Sequence, residues 1–242
     1  MTPQTRFLFR QLAHSSRQAL VFVLCVALSL TTLTAFSGFA RSVRQALLAD
    51  ARSLHAADII LRASAPFSSG LQGAVDREVA AGRIEATTIH NFFSVVRTVD
   101  DDASLLARLK VVEPAYPFYG RVELLSGKSL GEALVKGTIV VEQLLLERLG
   151  LQIGDPLQVG HATLRIAAVV TAEPDRPVNL FAFGPRVFVS HHDLKTLGLL
   201  EKGSRIRYRI LIKVADPQEL ESLAANFKAA ADPELERVDT YR

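Results

Sequence analysis

Few side chains of this 242-residue chain have the types and spacing that bond chemistry requires. The best local set of metal ligands is His191, His192 and Asp193. Two adjacent histidines on a helix point about 100° apart, because each residue turns the helix by that angle. Asp193 also stands three residues after Ser190, which is the spacing of a helix capping box. The sequence therefore predicts no bound metal here.

A second stretch, Ser126 to Ser129 (Ser-Gly-Lys-Ser), resembles the end of a phosphate-binding loop. The glycine that such a loop needs five residues before Gly127 is replaced by Val122. The backbone N–H groups would then no longer wrap around phosphates. Gly-x-Ser-x-Gly, His-Glu-x-x-His and Gly-x-Gly-x-x-Gly motifs do not occur either. The sequence predicts neither catalytic nor cofactor-binding residues, and we expect no enzyme.

Charged residues that could contact a partner occur first in a proline-bounded loop. Glu173, Asp175 and Arg176 belong to the stretch Glu-Pro-Asp-Arg-Pro, which predicts a stiff, charged connection. The favoured interpretation is a solvated hairpin tip with an internal ion pair worth under about 1 kcal/mol. A contact site is the alternative.

A row of arginines follows later in the chain. Arg205, Arg207 and Arg209 alternate with apolar residues, which predicts a strand with the arginines on one face. Such a row is most often the wet face of a half-buried strand, and contact with lipid headgroups or an acidic partner is the alternative. With Arg186 and the loop above, these arginines complete the candidate interaction residues.

Composition limits the partners of the chain. It has 28 Lys and Arg against 25 Asp and Glu, a formal net charge of +3, and the basic residues are scattered. That pattern does not fit nucleic acid, which requires a basic stripe. The one cysteine, Cys25, excludes a disulfide framework. Hydrophobic residues make up 49% of the chain, and this excess must lie in a particular segment.

That segment is residues 19–40, which carry no formal charge. A helix of 22 residues spans about 33 Å, against about 30 Å for the hydrocarbon core of a bilayer. We predict a cytoplasmic segment at residues 1–17 and a transmembrane helix at residues 18–40, with the N-terminus inside. A cleaved signal peptide, with Arg6, Arg10 and Arg17 as its basic start, is the alternative. The anchor is favoured because the uncharged stretch continues ten residues past Leu30.

The rest of the pattern predicts an α+β fold. Apolar residues at spacings of three, four and seven predict a stalk helix at residues 41–56. Strands are predicted at residues 58–62, 84–99, 104–112, 157–159, 163–170, 205–214 and 236–241, and helices at residues 71–81, 142–149 and 217–230. Capping boxes at Ser190/Asp193 and Asp216/Glu219 predict two helix starts.

Several stretches resemble the MacB/FtsX superfamily of ABC transporter permeases. They are the basic start with the apolar helix, Ala-Asp-Ile-Ile-Leu-Arg at residues 57–62, Tyr-Pro-Phe-Tyr-Gly at residues 116–120, and Leu-Gly-Leu-Gln-Ile-Gly-Asp at residues 149–155. Residues 173–176, 184–187 and 203–209 are similar, more narrowly, to its YbbP-like branch.

This resemblance implies a periplasmic core domain on the bacterial inner membrane. It implies a porter-like α+β part at residues 57–113 and 201–242, with a smaller β-rich insert at residues 114–200. The family's mechanism is mechanotransmission: a separate cytoplasmic ATPase moves the periplasmic domain, which acts on a lipid-like or hydrophobic substrate or on a periplasmic partner. Membrane lipid, that ATPase and a second permease copy are the implied partners.

Permeases of this kind also have further membrane helices and a coupling helix, which these 242 residues do not contain. The chain therefore resembles the N-terminal portion of such a permease. Two other functions remain open on the sequence. One is a binding or sensor module tethered by a single helix, and the other is a secreted domain released by signal cleavage near residue 40.

Overall fold

The computed structural model describes residues 20–43, 56–100, 102–174, 184–200 and 205–240. They belong to two compact units, residues 1–49 and residues 50–242, which we describe separately. Most of the predicted stalk, residues 44–55, lies outside the described residues.

The described part of the first unit is one helix, α1, Leu20–Val43. By length and composition it is able to cross a membrane. Its side chains are exposed along the whole length, including Phe22, Leu28 and Phe36 at about 70%. Serine and threonine hydroxyls in its middle and C-terminal half donate to carbonyls one turn back, such as Thr31 to Ala27 at 2.7 Å. These polar groups therefore do not have to hydrogen-bond to a surrounding solvent.

The second unit contains a ten-stranded mixed sheet and short helices. The strands are β1 (Ile59–Ala63), β2 (Ile84–Thr98), β3 (Ser104–Val112), β4 (Glu123–Leu124), β5 (Thr138–Glu142), β6 (Pro156–Val159), β7 (Ala162–Ala172), β8 (Arg186–Ser190), β9 (Arg207–Val214) and β10 (Glu236–Thr240). The helices are α2 (Ser69–Ala80), α3 (Leu130–Ala133), α4 (Gln143–Leu149) and α5 (Leu220–Ala230), with a 3₁₀ turn at His191–Asp193. The predicted α+β class is confirmed.

The strand order is β10-β1-β9-β2-β3-β8-β5-β7-β4, and β6 pairs with β2 and β7. Two neighbouring pairs, β3 with β8 and β5 with β7, are parallel, and the other pairs are antiparallel. Because β3 pairs with β8, the strands of residues 114–200 continue the same sheet as those of residues 57–113. The division into a porter-like part and an insert stays a prediction.

Alternate residues of the strands point to the two faces of the sheet, and different segments pack on each face. Helices α2 and α5 pack on Leu61 and Ile210, and α4 packs on Leu109 and Val187, all on the side that we call the helix face. The residues between them point to the other side, which we call the opposite face. Residues 114–134 cover part of the opposite face around Phe188. The sheet thus has a core on each side.

One helix start and one capping contact differ from the prediction. Helix α5 begins at Leu220 rather than at residue 217, because the Asp216 carboxylate accepts a hydrogen bond from the Gln218 backbone (2.9 Å) and closes a turn first. At Ser190 a 3₁₀ turn begins as predicted, and the Ser190 hydroxyl accepts from the His192 N–H at 3.4 Å. Asp193 does not complete the predicted capping box, because its carboxylate accepts from the Gly137 N–H at 2.8 Å instead. By contrast, α4 ends at Leu149 with Gly150 in the left-handed region, as predicted.

Candidate interaction site

The site is centred on three charged side chains that the sheet brings to its opposite face. Lys110 lies on β3 and Arg186 on β8, and Arg108 is the residue paired with Arg186 in this parallel ladder. Lys110 is two residues beyond Arg108 on the same strand, so these two side chains point to the same face. Arg186, which is paired with Arg108, points to that face as well. Glu173 follows the end of β7 directly. The sheet topology, not nearness in sequence, therefore assembles the site.

Glu173 binds both cations at once. Its Oε1 accepts from Lys110 Nζ at 3.0 Å, and its Oε2 accepts from Arg186 Nη1. The three side chains are only 4–6% exposed. Glu142 adds a second carboxylate, because its Oε2 accepts from the Arg186 backbone N–H at 3.1 Å. We call Lys110, Glu173, Arg186 and Glu142 the ionic cluster; two positive charges meet two negative ones in it.

Aromatic side chains also pack against the cluster, and one of them belongs to residues 114–134, which lie over this face. Lys110 Nζ donates to the Tyr116 hydroxyl at 2.6 Å. It also lies 4.4 Å from the centroid of the Tyr116 ring and 5.6 Å from that of Phe188. Both contacts are in the range of cation–π attraction. The lysine is thereby held between its carboxylate partner and two rings.

These contacts correct one interpretation of the sequence. Glu173 does not lie at a solvated tip, because its carboxylate is buried between two cations. Removing one partner of such a buried pair lowers the free energy of unfolding by several kcal/mol, which is more than removing one partner of a surface pair does. Asp175 and Arg176 lie outside the described residues.

The arginine row lies on the same face as the cluster. Arg207 pairs with Asn91 on β2, and Asn91 pairs with Lys110 on β3, so the three form one row across the sheet. Arg207 is exposed and Arg209 is half-buried, while Arg205 is exposed just before β9. The structure therefore places Arg207 and Arg209 on the same face as Arg186, with β2 and β3 between them.

Arg108 and Lys110 were not among the sequence-predicted residues. The signal in the sequence was the interruption of the apolar run of β3 by two cations. Burial lowers the pKa of Arg108, and the nearby charges of Arg186 and Arg207 lower it further. The charges of Glu173 and Glu142 oppose this lowering in part.

A cavity of about 340 Å³ lies beside the cover of the opposite face. Its lining includes Glu113, Tyr116, Leu130 and His192. Glu113 is already engaged, because its Oε2 accepts from the Thr88 N–H at 2.8 Å. The volume of this cavity is at the small end of the range for a ligand pocket.

No group of three or more His, Cys, Asp or Glu able to hold a metal occurs among the described residues. The rings of His191 and His192 do not diverge as a regular helix would require, and their centroids are 3.9 Å apart. The arrangement at the site can bind, position and bury charges.

Comparisons with known proteins identify the family of the chain. The sequence model of the MacB-like periplasmic core domain matches residues 19–230, so the chain belongs to that family. It is 28% identical over 195 residues to the uncharacterized ABC transporter permease YbbP of Escherichia coli (strain K12). That match covers 80% of the chain but only 23% of the relative's length. The resemblance to the MacB/FtsX permeases is thereby confirmed.

One solved structure is also similar in part. It is a domain assigned to a permease protein from Porphyromonas gingivalis, with a TM-score of 0.46 and 13% identity, covering 78% of this chain and 92% of that one.

Proposed function

We propose that the chain is the membrane-anchored periplasmic part of an ABC transporter permease that works by mechanotransmission. The observation that carries this proposal is the family match over residues 19–230, which includes all of α1 and nearly all of the folded unit. The relative of the chain is itself an ABC transporter permease. A separate cytoplasmic ATPase would supply the energy, and this chain would receive the movement.

The absence of catalytic side chains from the candidate site is compatible with this role. A permease of this type performs no bond chemistry, so its periplasmic domain needs contact surfaces and a stable fold. The ionic cluster contributes to the stable fold, because it fixes the end of β7 to β3 and β8. The substrate would be lipid-like or hydrophobic, or the domain would act on a periplasmic partner.

The proposed location is the bacterial inner membrane, with the N-terminus in the cytoplasm and residues 57–242 in the periplasm. Cysteine labelling tests this orientation once Cys25 has been replaced by serine. A cysteine at exposed Lys228 should react with a membrane-impermeant maleimide in intact spheroplasts, whereas one at residue 4 should react only after lysis. The reverse pattern would contradict the orientation.

The coupling itself is tested in α1. Insertion of a flexible Gly/Ser stretch between Ala40 and Arg41, in the complete permease with its ATPase, should leave ATP hydrolysis intact and abolish transport output. An insertion of the same length in the exposed turn at Gly127 is the control, because Gly127 lies outside α1. Unchanged output after the α1 insertion would favour a tethered module over a transporter.

A further inference from the structure

The opposite face has a part that residues 114–134 do not cover. Phe93 and Val95 of β2 are each 49% exposed there, and Leu106 of β3 is 47% exposed. Val95 pairs with Leu106, and Phe93 pairs with Arg108, so the four side chains are direct neighbours. With Arg207 of β9 they form what we call the open strip.

These apolar side chains lie where the sheet narrows to β2 and β3. Strand β9 pairs with β2 only up to Asn91, β6 pairs with it only from Val96, and β8 pairs with β3 only from Arg108. Single exposed apolar residues are ordinary on protein surfaces, whereas contiguous ones mark contact surfaces more often. The strip is therefore a candidate for contact with another molecule.

The charges of the strip are not balanced within the described residues. The guanidinium carbon of Arg108 lies 5.2 Å from the centroid of the Phe93 ring, a cation–π contact that leaves its positive charge in place. The carboxylates of Glu173 and Glu142 act on this charge from a distance, but both are already engaged within the ionic cluster. Burial lowers the pKa of Arg108 most, and the charges of Arg186 and Arg207 lower it further. A partner with carboxylates would relieve this repulsion.

We propose that the open strip is a docking surface for an acidic polypeptide segment that also carries apolar side chains. Its carboxylates would pair with Arg108 and Arg207, and its apolar side chains would cover Phe93, Val95 and Leu106. This names the class of periplasmic partner within the proposed function, on which it rests.

Two other occupants fit the surface less well. An acyl chain on a flat sheet face would keep about half of its surface in water, whereas small-molecule sites bury about 70–90% of a ligand. A second copy in a two-fold contact would bring Arg108 and Arg207 against the same two residues, because such an interface pairs one patch with itself. Charge thus favours a different, acidic polypeptide.

The test is selection of short random peptides by mRNA display against the full chain held in phosphatidylcholine nanodiscs. Enriched peptides should combine Asp or Glu with Leu or Phe, and their binding should weaken with added salt. Their affinity for the strip variant, Phe93→Ser with Arg207→Glu, should fall by about tenfold or more. The single change Arg207→Glu, at an exposed residue, gives the same direction of effect with less disturbance of the fold.

The matched control changes residues that lie on helices of the helix face. Val79→Ser with Lys228→Glu alters an apolar side chain of 44% exposure and one exposed cation, and should leave peptide affinity unchanged. Three results would overturn the proposal: peptides without acidic enrichment, equal binding to strip and control variants, or strip-dependent flotation with phosphatidylglycerol vesicles. Self-association that the strip variant abolishes would also overturn it, in favour of a second copy. Because the readout is binding alone, failure here is separable from failure of coupling through α1.

Discussion

Two neighbouring regions of the opposite face differ in whether their positive charges are paired. In the ionic cluster, Lys110 and Arg186 are buried, and Glu173 binds both of them. In the open strip, the side chains of Arg108 and Arg207 form no ion pair with any described residue, and the apolar side chains around them are half exposed. Arg108 and Arg186 are paired residues of adjacent strands, so the change occurs over one strand spacing, about 4.8 Å. The comparison indicates that the cluster belongs to the fold and that the strip is left for a partner.

The largest effect is expected from breaking the cluster. Glu173→Gln leaves two buried cations without their shared carboxylate, and should lower the free energy of unfolding by about 3–5 kcal/mol. Chemical denaturation of the chain in detergent, followed by circular dichroism, measures this. Glu123→Gln is the control, because Glu123 pairs with Arg121 at the surface, where the side chains are 51% and 83% exposed. That pair should be worth less than about 1 kcal/mol.

Equal effects of Glu173→Gln and Glu123→Gln would contradict the structural role of the cluster. In that case the buried pairs would not fix β7 to β3 and β8, and the distinction between the two regions would fail.

The next prediction compares the loss of stability from substitutions at two leucines of β3. Leu109 of β3 is fully buried on the helix face, whereas Leu106 of the open strip is 47% exposed. Leu109→Ala should cost about 2–5 kcal/mol, because it removes buried contacts and leaves a cavity. Leu106→Ala should change stability by less than about 0.5 kcal/mol. A large loss of stability in the Leu106 variant would show that the strip is part of the core after all.

The smallest effect concerns His90, which packs edge-to-face on Tyr208 with the ring centroids 5.2 Å apart. Burial lowers its pKa, and the charge of Glu113 opposes this in part. The unfolded chain therefore binds more protons than the folded one below about pH 6.5, so stability should fall as pH decreases through that range. His90→Gln should flatten the profile of unfolding free energy between pH 7 and pH 5 relative to the parent chain. Superimposable profiles would mean that His90 titrates alike in both states.

The sequence predicted the elements with strong periodicity. The strands near residues 84–99, 104–112 and 205–214 and the apolar helix are present, because alternation and a long uncharged run identify them directly. Strands β5 and β8 were missed, since Val140, Val141, Val187 and Phe188 are all buried and give no alternation.

The site could be predicted only in part, for a related reason. Glu173 was a candidate because it lies in a charged, proline-bounded stretch, and Arg186 because it lies in a stretch, residues 184–187, that resembles the YbbP-like branch. Lys110 stands 63 residues before its partner Glu173, and the two meet through the pairings of β3 with β8, β8 with β5, and β5 with β7. A pairing of this range leaves no local signal, so no argument from spacing could have placed the lysine beside the carboxylate.

Both regions of the opposite face contribute to transport only if the periplasmic unit moves when ATP binds. The most direct test is a distance measurement in the complete permease with its ATPase, with Cys25 and any other native cysteines replaced and a spin label at Lys228→Cys. Electron–electron double resonance between two permease copies should show a distance distribution that shifts when a non-hydrolysable ATP analogue is added, and that returns when it is removed. An unchanged distribution, in a preparation that binds the nucleotide, would contradict mechanotransmission.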